Sequence, residues 1–363
     1  MKTQIALIYG TRPELLKLIP IINQFGKKNK RILIINTGQH SEVVSELEVL
    51  FNIKPDIELT VQQLGYTNNK LISFLIEKVS DIIIQRNIKH VIAQGDTFSV
   101  LSASICAFLS KVKFYHIEAG LRTSKIGTPF PEEYNRRVIS IGTTTHFAPT
   151  KHAANNLLKE GIDKESILMS GNSIIDLAQE IIREKKISIT YDELVFITAH
   201  RRENLGVPIE KISLAVKTLA TTYPHIKFHW SLHPNMAIKK MIFKNKPFPE
   251  NLIFTDPLLY PDMIEKIAKA KLIISDSGGL QEEASAFFKK ILILRDETER
   301  PEILNCGLGI LVGAETNNIV NSFKKLQEND NFRVNKFINP FGNGKSSVKI
   351  VDRILEELKF DSN

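Results

Sequence analysis

From residue 5 onward, short runs of apolar residues recur along the chain, and most of them stop at a Gly, Asp, Ser or His. The first is Ile5–Tyr9, followed by GTRPE, with Pro13 near the first turn of a helix through Leu15, Leu18, Ile19 and Ile22. Next come Ile32–Ile35 before NTGQH, Val91–Gln94 before GDT and Phe114–Ile117 before EAG. His146–Ala148 before PT and Ile167–Ser170 before GNSIID complete one series. A second series opens with Leu194–Thr198 before AHRREN and Phe228–Leu232 before HPN. It continues through Leu252–Thr255 before DP, Leu272–Ser275 before DSGG and Ile291–Leu294 before RDETERPE. Strands too apolar to have one wet face, separated by helical patterns, indicate parallel sheets covered on both sides.

Two such series with the polar segment Arg183–Glu193 between them predict two Rossmann-like α/β domains. The expected divisions are 1–172 and 173–340. A loop and C-terminal helix over 341–363 are expected to pack back toward the first domain. A chain of 363 residues is long enough for two cores. Ligands of open parallel sheets bind beyond the carboxyl ends of the strands, so a cleft between the domains is the expected site. No Gly-x-Gly-x-x-Gly fingerprint follows the first strand. Gly344-Lys345-Ser346 ends like a phosphate-binding P-loop, but Asn339 stands where its first glycine belongs and no strand precedes it. It reads as a turn and a helix start.

Hydrophobic residues at 43% and charged residues at 24% argue against disorder. The formal net charge of +8 comes from scattered lysines without aromatic interleaving, so nucleic acid is not an expected partner. No stretch approaches the ~18 apolar residues of a membrane span, and the opening MKTQIALIYG reads as a strand rather than a signal segment. Two unrelated cysteines, Cys106 and Cys306, suit a reducing cytoplasm. Neither His-Glu-x-x-His nor Gly-x-Ser-x-Gly occurs, so no metal and no serine nucleophile is expected.

Chemistry-bearing residues gather where the apolar runs stop. In DSGGLQEEA at 276–284, small residues make a turn before a helix expected from about Leu280. Free N–H groups and the helix dipole there favour a phosphate, with Glu283 one turn in as an acceptor for ribose hydroxyls. GTRPELLK places Arg12 at another strand-to-helix turn, with Lys17 about one turn later. Asp96 follows one strand and Glu118 the next, and Glu132, Glu133 and Arg136 lie on a proline-started helix. Acids near one another raise each other's pKa values while arginines lower them, which can supply both an acid and a base near neutral pH. Equally, Asp96 can cap the helix at Thr97 and Glu118 can pair Arg122. His200 lies beyond the first strand of the second domain, where imidazole can bond a phosphate or donate a proton. His233 is a second candidate, in an ordinary-looking turn.

Taken in order, GTRPE, TGQH, QGDT, HIEAGLRT, PFPEEYNRR, HFAPT, GNSIID, TAHRREN, HPN, DSGGLQEEA, LRDETERPE and NPFGNGKSS resemble the non-hydrolysing UDP-N-acetylglucosamine 2-epimerases. The match spans Gly10 to the C-terminal helix. The resemblance implies a two-domain glycosyltransferase-B architecture, usually a homodimer, and no cofactor. It implies interconversion of UDP-N-acetylglucosamine and UDP-N-acetylmannosamine for surface polysaccharide synthesis. In that chemistry C2 of the sugar loses a proton while UDP leaves C1, giving 2-acetamidoglucal, and UDP re-adds with protonation from the other face.

Carried over residue by residue, Asp96, Glu118 and Glu132 match the acid/base carboxylates. Arg12, Lys17, Arg136 and His200 match residues that position substrate or stabilise UDP. Ser277, Gly278 and Gly279 match the diphosphate turn, and Glu283 the ribose ligand. The TSKIGTP segment at 123–129, between Glu118 and Glu132, is the part expected to move when the domains close. Departures exist. Met263 stands where an aromatic residue usually borders the uracil, and methionine can substitute there by packing. Ser41 replaces a common arginine, and QLGYTNNKL replaces a Gln-Ser/Thr-Leu motif. Those regions hold an activating second UDP-N-acetylglucosamine in some members, so the resemblance does not carry that site over. PFPEEYNRR favours the non-hydrolysing type over cousins that release free N-acetylmannosamine, and the alternatives are a 2-epimerase of another UDP-2-acetamido sugar or a glycosyltransferase of the same fold.

Overall fold

The computed structural model describes residues 4–39, 41–61, 67–123, 125–201, 204–334 and 338–360. His40 of the TGQH motif, residues 63–66 of QLGYTNNKL, Ser124, and Arg202 and Glu203 of AHRREN lie outside the described residues. Two compact units form, one from residues 1–177 with 341–363 and one from 178–340. Both are Rossmann-like α/β units, the fold class expected above for the glycosyltransferase-B type.

In the first unit the chain runs β1 (Ile5–Tyr9), α1 (Arg12–Lys27), β2 (Leu33–Asn36), α2 (Ser41–Leu50) and β3 (Ile57–Glu58). It continues through α3 (Asn68–Gln85), β4 (His90–Gln94), α4 (Phe98–Leu109) and β5 (Lys113–Ile117). Next come α5 (Glu132–Ile141), β6 (Thr145–Ala148), α6 (Lys151–Lys159) and β7 (Ile167–Met169). The seven strands pair in the order β3-β2-β1-β4-β5-β6-β7. Every residue of β1, β4 and β6 is buried, which is why these runs show no alternation. Helix α7 (Ser173–Glu184) carries the chain into the second unit.

The second unit contains β8 (Asp192–Thr198), α8 (Val207–Thr222), β9 (Lys227–Ser231), α9 (Met236–Ile242) and β10 (Leu252–Thr255). After these follow α10 (Tyr260–Lys269), β11 (Ala270–Ser275), α11 (Gly278–Ala286), β12 (Ile291–Ile293), α12 (Pro301–Asn305), β13 (Gly309–Leu311) and α13 (Thr316–Glu328). Its strand order is β10-β9-β8-β11-β12-β13. All pairings within both named sheets are parallel, so the strands of each sheet end on one side. Among the described residues no helix is long and apolar enough to cross a membrane.

Two strands escape the sequence reading. β3 is two residues long and only partly buried, and β13 begins at Gly309 inside the turn-like NCGLG. Helix α11 starts at Gly278, two residues before the expected Leu280, because the Ser277 side chain caps it by accepting from Leu280 N.

The C-terminal helix α14 (Ser346–Phe360) packs on α1 within the first unit. Its free N–H groups meet the carboxylate of Asp176, which accepts from Ser346 N at 3.2 Å and Ser347 N at 2.8 Å. Ser347 Oγ donates to the same group at 2.7 Å. The end of the P-loop-like GKS is therefore filled by a protein carboxylate. Burial pushes Asp176 up, and these bonds oppose it. Asp176→Ala leaves the buried amides unpaired and should lower the stability of the first unit by about 1–3 kcal/mol in urea denaturation; an unchanged midpoint would contradict this capping role.

Candidate active site

In the first unit, one carboxylate collects donors from three segments. Glu118 follows β5 with φ at +65°, a conformation uncommon for a residue bearing Cβ. Its Oε1 accepts from Lys17 Nζ on α1 and from Asn172 Nδ2, the latter at 3.0 Å. Its Oε2 accepts from Gln94 Nε2, the last residue of β4, at 2.5 Å. The Lys17–Glu118 pair is almost wholly shielded, each side chain 8% exposed. Removing one partner from such a pair typically costs ~3–5 kcal/mol, so its persistence needs all three donors.

Asp96 sits two residues past β4, after Gly95 with φ at +90°. Thr97, not Asp96, is the N-cap residue of α4, which leaves the Asp96 carboxylate free of a capping role. Its main chain is pinned instead. Asn135 Nδ2 donates to Asp96 O at 2.7 Å, and His116 Nε2 donates to Gly95 O at 2.7 Å. Burial lowers the His116 pKa to about 3, so the ring stays neutral as it holds this turn. Asp96 Oδ2 lies 3.4 Å from Arg136 Nε. Burial, with Glu118 and Glu132 adding, raises Asp96 from its ordinary 3.8 to about 6 against the pull of Arg136 and Lys17. Glu132 completes the group of acids, and its Oε2 is buried with no hydrogen-bond partner among the described residues.

The charges on α5 divide by role. Glu133 is fully buried and braces the segment before the helix, accepting from Thr123 N at 3.0 Å and from Arg137 Nε at 2.9 Å. Its Oε2 lies 3.6 Å from Arg136 Nε. Arg122 does not pair Glu118. It binds Glu160, the residue that ends α6, with Nε and Nη2 at 2.7 Å each, and donates to Ser140 Oγ. Arg12 opens α1 and has no polar side-chain partner among the described residues. Two residues on, Glu14 was not singled out in the sequence. It accepts from Gly10 N and Thr11 N at 2.6 and 2.8 Å and from the Thr97 hydroxyl, tying the β1 turn to the β4 turn. Burial raises Glu14 to about 7.

The second unit presents a different arrangement. Ser277, Gly278 and Gly279 lie at the start of α11, with Ser277 as its cap. A Cβ on Gly278 would come within 2.7 Å of Arg300 Nη1 and 3.3 Å of Arg201 Nη2. The missing side chain thus leaves room for two guanidinium groups against a helix N-terminus, a combination suited to a phosphate. Arg300 is held there by Glu282 Oε1 at 2.5 Å. Glu283 is buried and accepts from the Tyr260 hydroxyl at 2.9 Å. Met263 lies half-buried on α10, one turn from Tyr260. His200 follows β8 by two residues, and its ring stacks on His233 with centroids 5.5 Å apart. Among the described residues, no three acids, histidines or cysteines gather as a metal would require.

The structure therefore brings together Lys17, Asp96, Glu118, Glu132 and Arg136 in the first unit. In the second it brings His200 and Ser277–Gly279 together, joined by Arg201 and Arg300, which sequence reasoning did not single out. Gln94, Asn135 and Asn172 were quoted within motifs but given no role. For Gln94 the one available signal was an amide ending an otherwise apolar strand, whereas Asn135 on α5 and Asn172 before α7 offered none.

Known proteins match nearly the whole chain. The family model described as UDP-N-acetylglucosamine 2-epimerase matches residues 24–355. A UDP-N-acetylglucosamine 2-epimerase of Neisseria meningitidis is 35% identical, over 97% of this chain and 99% of that protein. The crystal structure of the Neisseria meningitidis UDP-GlcNAc 2-epimerase bound to UDP-GlcNAc superposes with a TM-score of 0.90 at 35% identity, covering 97% and 99% of the two chains. The S. aureus MnaA–UDP structure superposes with a TM-score of 0.87 at 32% identity, covering 99% and 97%.

Because the fold raises the Asp96 pKa, ionising it in the folded protein opposes folding. Stability is lost as pH rises from about 3.8 to about 6, and Asp96→Asn relieves the loss. The variant should exceed the parent by up to about 3 kcal/mol above pH 7, with the difference vanishing below about pH 4. Denaturation curves across this range check it, and equal stability at pH 8 would contradict the buried-acid reading.

Proposed function

The chain belongs to the UDP-N-acetylglucosamine 2-epimerase family, and on that premise we propose that it interconverts UDP-N-acetylglucosamine and UDP-N-acetylmannosamine without hydrolysis. The observation that carries this reading is the carboxylate group of the first unit: three acids with one ammonium and one guanidinium, one acid poised to titrate near neutrality. The C2 hydrogen beside the acetamido group is weakly acidic. Removing it needs a base while the C1–O bond breaks and the electron pair forms the C1–C2 double bond. UDP departs as an anion, re-adds to C1, and C2 is protonated from the opposite face. Two carboxyl groups on different sides of the sugar meet that demand.

Asp96 and Glu118 are the pair assigned to it. All the donors around Glu118 suit a carboxylate, and Asp96, lifted to about 6, can hold or release a proton at working pH. Glu132, buried and unpartnered at Oε2 among the described residues, is the third acid facing the same chemistry. Lys17, Arg12, Arg136 and His200 are assigned to the developing charge on the diphosphate. Ser277, Gly278 and Gly279 would hold the diphosphate at the start of α11, with Arg201 and Arg300 beside it. Glu283, oriented by Tyr260, would accept from the ribose hydroxyls, and Met263 would pack against uracil. A homodimer in the cytoplasm, feeding surface polysaccharide synthesis, completes the proposal.

Incubating the protein with UDP-N-acetylglucosamine in heavy water, with products read by NMR, tests it. Deuterium at C2 of both UDP-sugars is expected. Free N-acetylmannosamine with UDP would replace this reading by the hydrolysing reaction, and no exchange at C2 would overturn it. Asp96→Asn and Glu118→Gln should each slow exchange by about 100-fold or more while the protein still binds UDP.

A further inference from the structure

Asp276, the first residue of DSGG, has no part in the assignments above. It is fully buried between the end of β11 and the Ser277 cap of α11. Its Oδ2 accepts from His200 N and Arg201 N, both at 2.8 Å, and from Asn204 Nδ2 at 2.9 Å. Asn204 also donates to Leu294 O at 3.1 Å, which fastens the loop after β8 to the chain leaving β12. Oδ1 has no hydrogen-bond partner among the described residues and lies 3.7 Å from His200 Nδ1. A buried carboxylate oxygen strongly favours a donor, and the imidazole nitrogen facing it can supply one.

We propose that Asp276 is a positioning residue for His200: Oδ1 accepts from Nδ1–H and so keeps hydrogen on that nitrogen, and the doubly protonated ring then donates from Nε2–H to the diphosphate. The assignment rests on the reading of His200 as a diphosphate group ligand. The stack of His200 on His233, 15° from parallel, sets the plane of the ring, and Asp276 sets its rotation within that plane. The separation of 3.7 Å is longer than a hydrogen bond, as such contacts often are before substrate draws them in. Asp276 also connects two anion-facing features. One side of it holds the His200 loop, and the next residue in the chain caps the helix whose first turn is Gly278-Gly279.

Asp276→Asn separates positioning from simple support. Its amide oxygen can still accept from the loop N–H groups, while its NH2 would face His200 Nδ1 and move the imidazole hydrogen to Nε2. In the full-length protein, nitrogen-15 NMR of the histidine rings should show the hydrogen of neutral His200 on Nδ1, shifted to Nε2 in the variant. With UDP-N-acetylglucosamine, kcat should fall by about 10- to 100-fold, as for other carboxylates behind a working histidine, and KM should stay within about threefold. In a His200→Gln background the same change should cost less than about twofold, since its effect runs through the ring. Three results would each overturn the proposal: a parent protein with hydrogen on Nε2, an undiminished loss in the His200→Gln background, or a raised KM with unchanged kcat. If Asp276→Asn does not fold, the tautomer of the parent decides. A parent that neither turns over nor exchanges C2 would sink the functional reading instead, whereas an active parent with the wrong tautomer removes only the role of Asp276.

Discussion

Glu118 and its three donors hold the first unit's chemistry in place. Lys17 comes from α1, Gln94 from the end of β4, Asn172 from the segment before α7, and Glu118 itself from the end of β5. No two of these are neighbours in sequence. A parallel sheet buried on both faces excludes polar groups from strand interiors and collects them at the carboxyl ends. Once there, an ion pair 8% exposed on each side tolerates neither the loss of a partner nor much movement. The positive φ of Glu118 is therefore sustained by its surroundings, and strain of that kind is commonly found where geometry serves function.

The neighbouring acids follow the same logic with the opposite sign. Asp96 lacks the donors that Glu118 collects, and burial beside two other carboxylates lifts its pKa. Its position is set through the main chain by Asn135 and His116, so its carboxyl group is fixed in place without being neutralised by hydrogen bonds. The second unit uses backbone and cations instead. A capped helix start, two guanidinium groups around a glycine, and a histidine braced by buried Asp276 make a region for negative charge. The clustered acids thus lie in the first unit, and the capped helix start with two guanidinium groups in the second.

Much of this was legible in the chain. Fully buried strands announce themselves as unbroken apolar runs, and their ends marked Asp96, Glu118, His200 and Ser277 as sites. What was not legible depends on distance in sequence. Asp276 finds its donors 72 to 76 residues away, and Glu118 finds Lys17 101 residues away, so neither pairing has a local signature. The nearby alternative, Glu118 with Arg122, was wrong because Arg122 turns to Glu160 at the end of α6. Short elements were lost for a different reason. β3 buries too little surface to show a pattern, and β13 starts on a glycine that reads as a turn. Glu14 passed as an ordinary first-turn acid of α1, though it also bonds the turn that carries Asp96.

The central claim is that the C1–O bond of the UDP-sugar breaks and re-forms at each turnover, with the C2 proton exchanged across a cluster of acids. Oxygen-18 placed in the bridge between C1 and the β-phosphate reports that event directly. During epimerisation the label should scramble into the non-bridging positions of the β-phosphate, seen by phosphorus NMR, because the freed diphosphate can rotate before it re-adds. Epimerisation with the label retained wholly in the bridge would contradict the account.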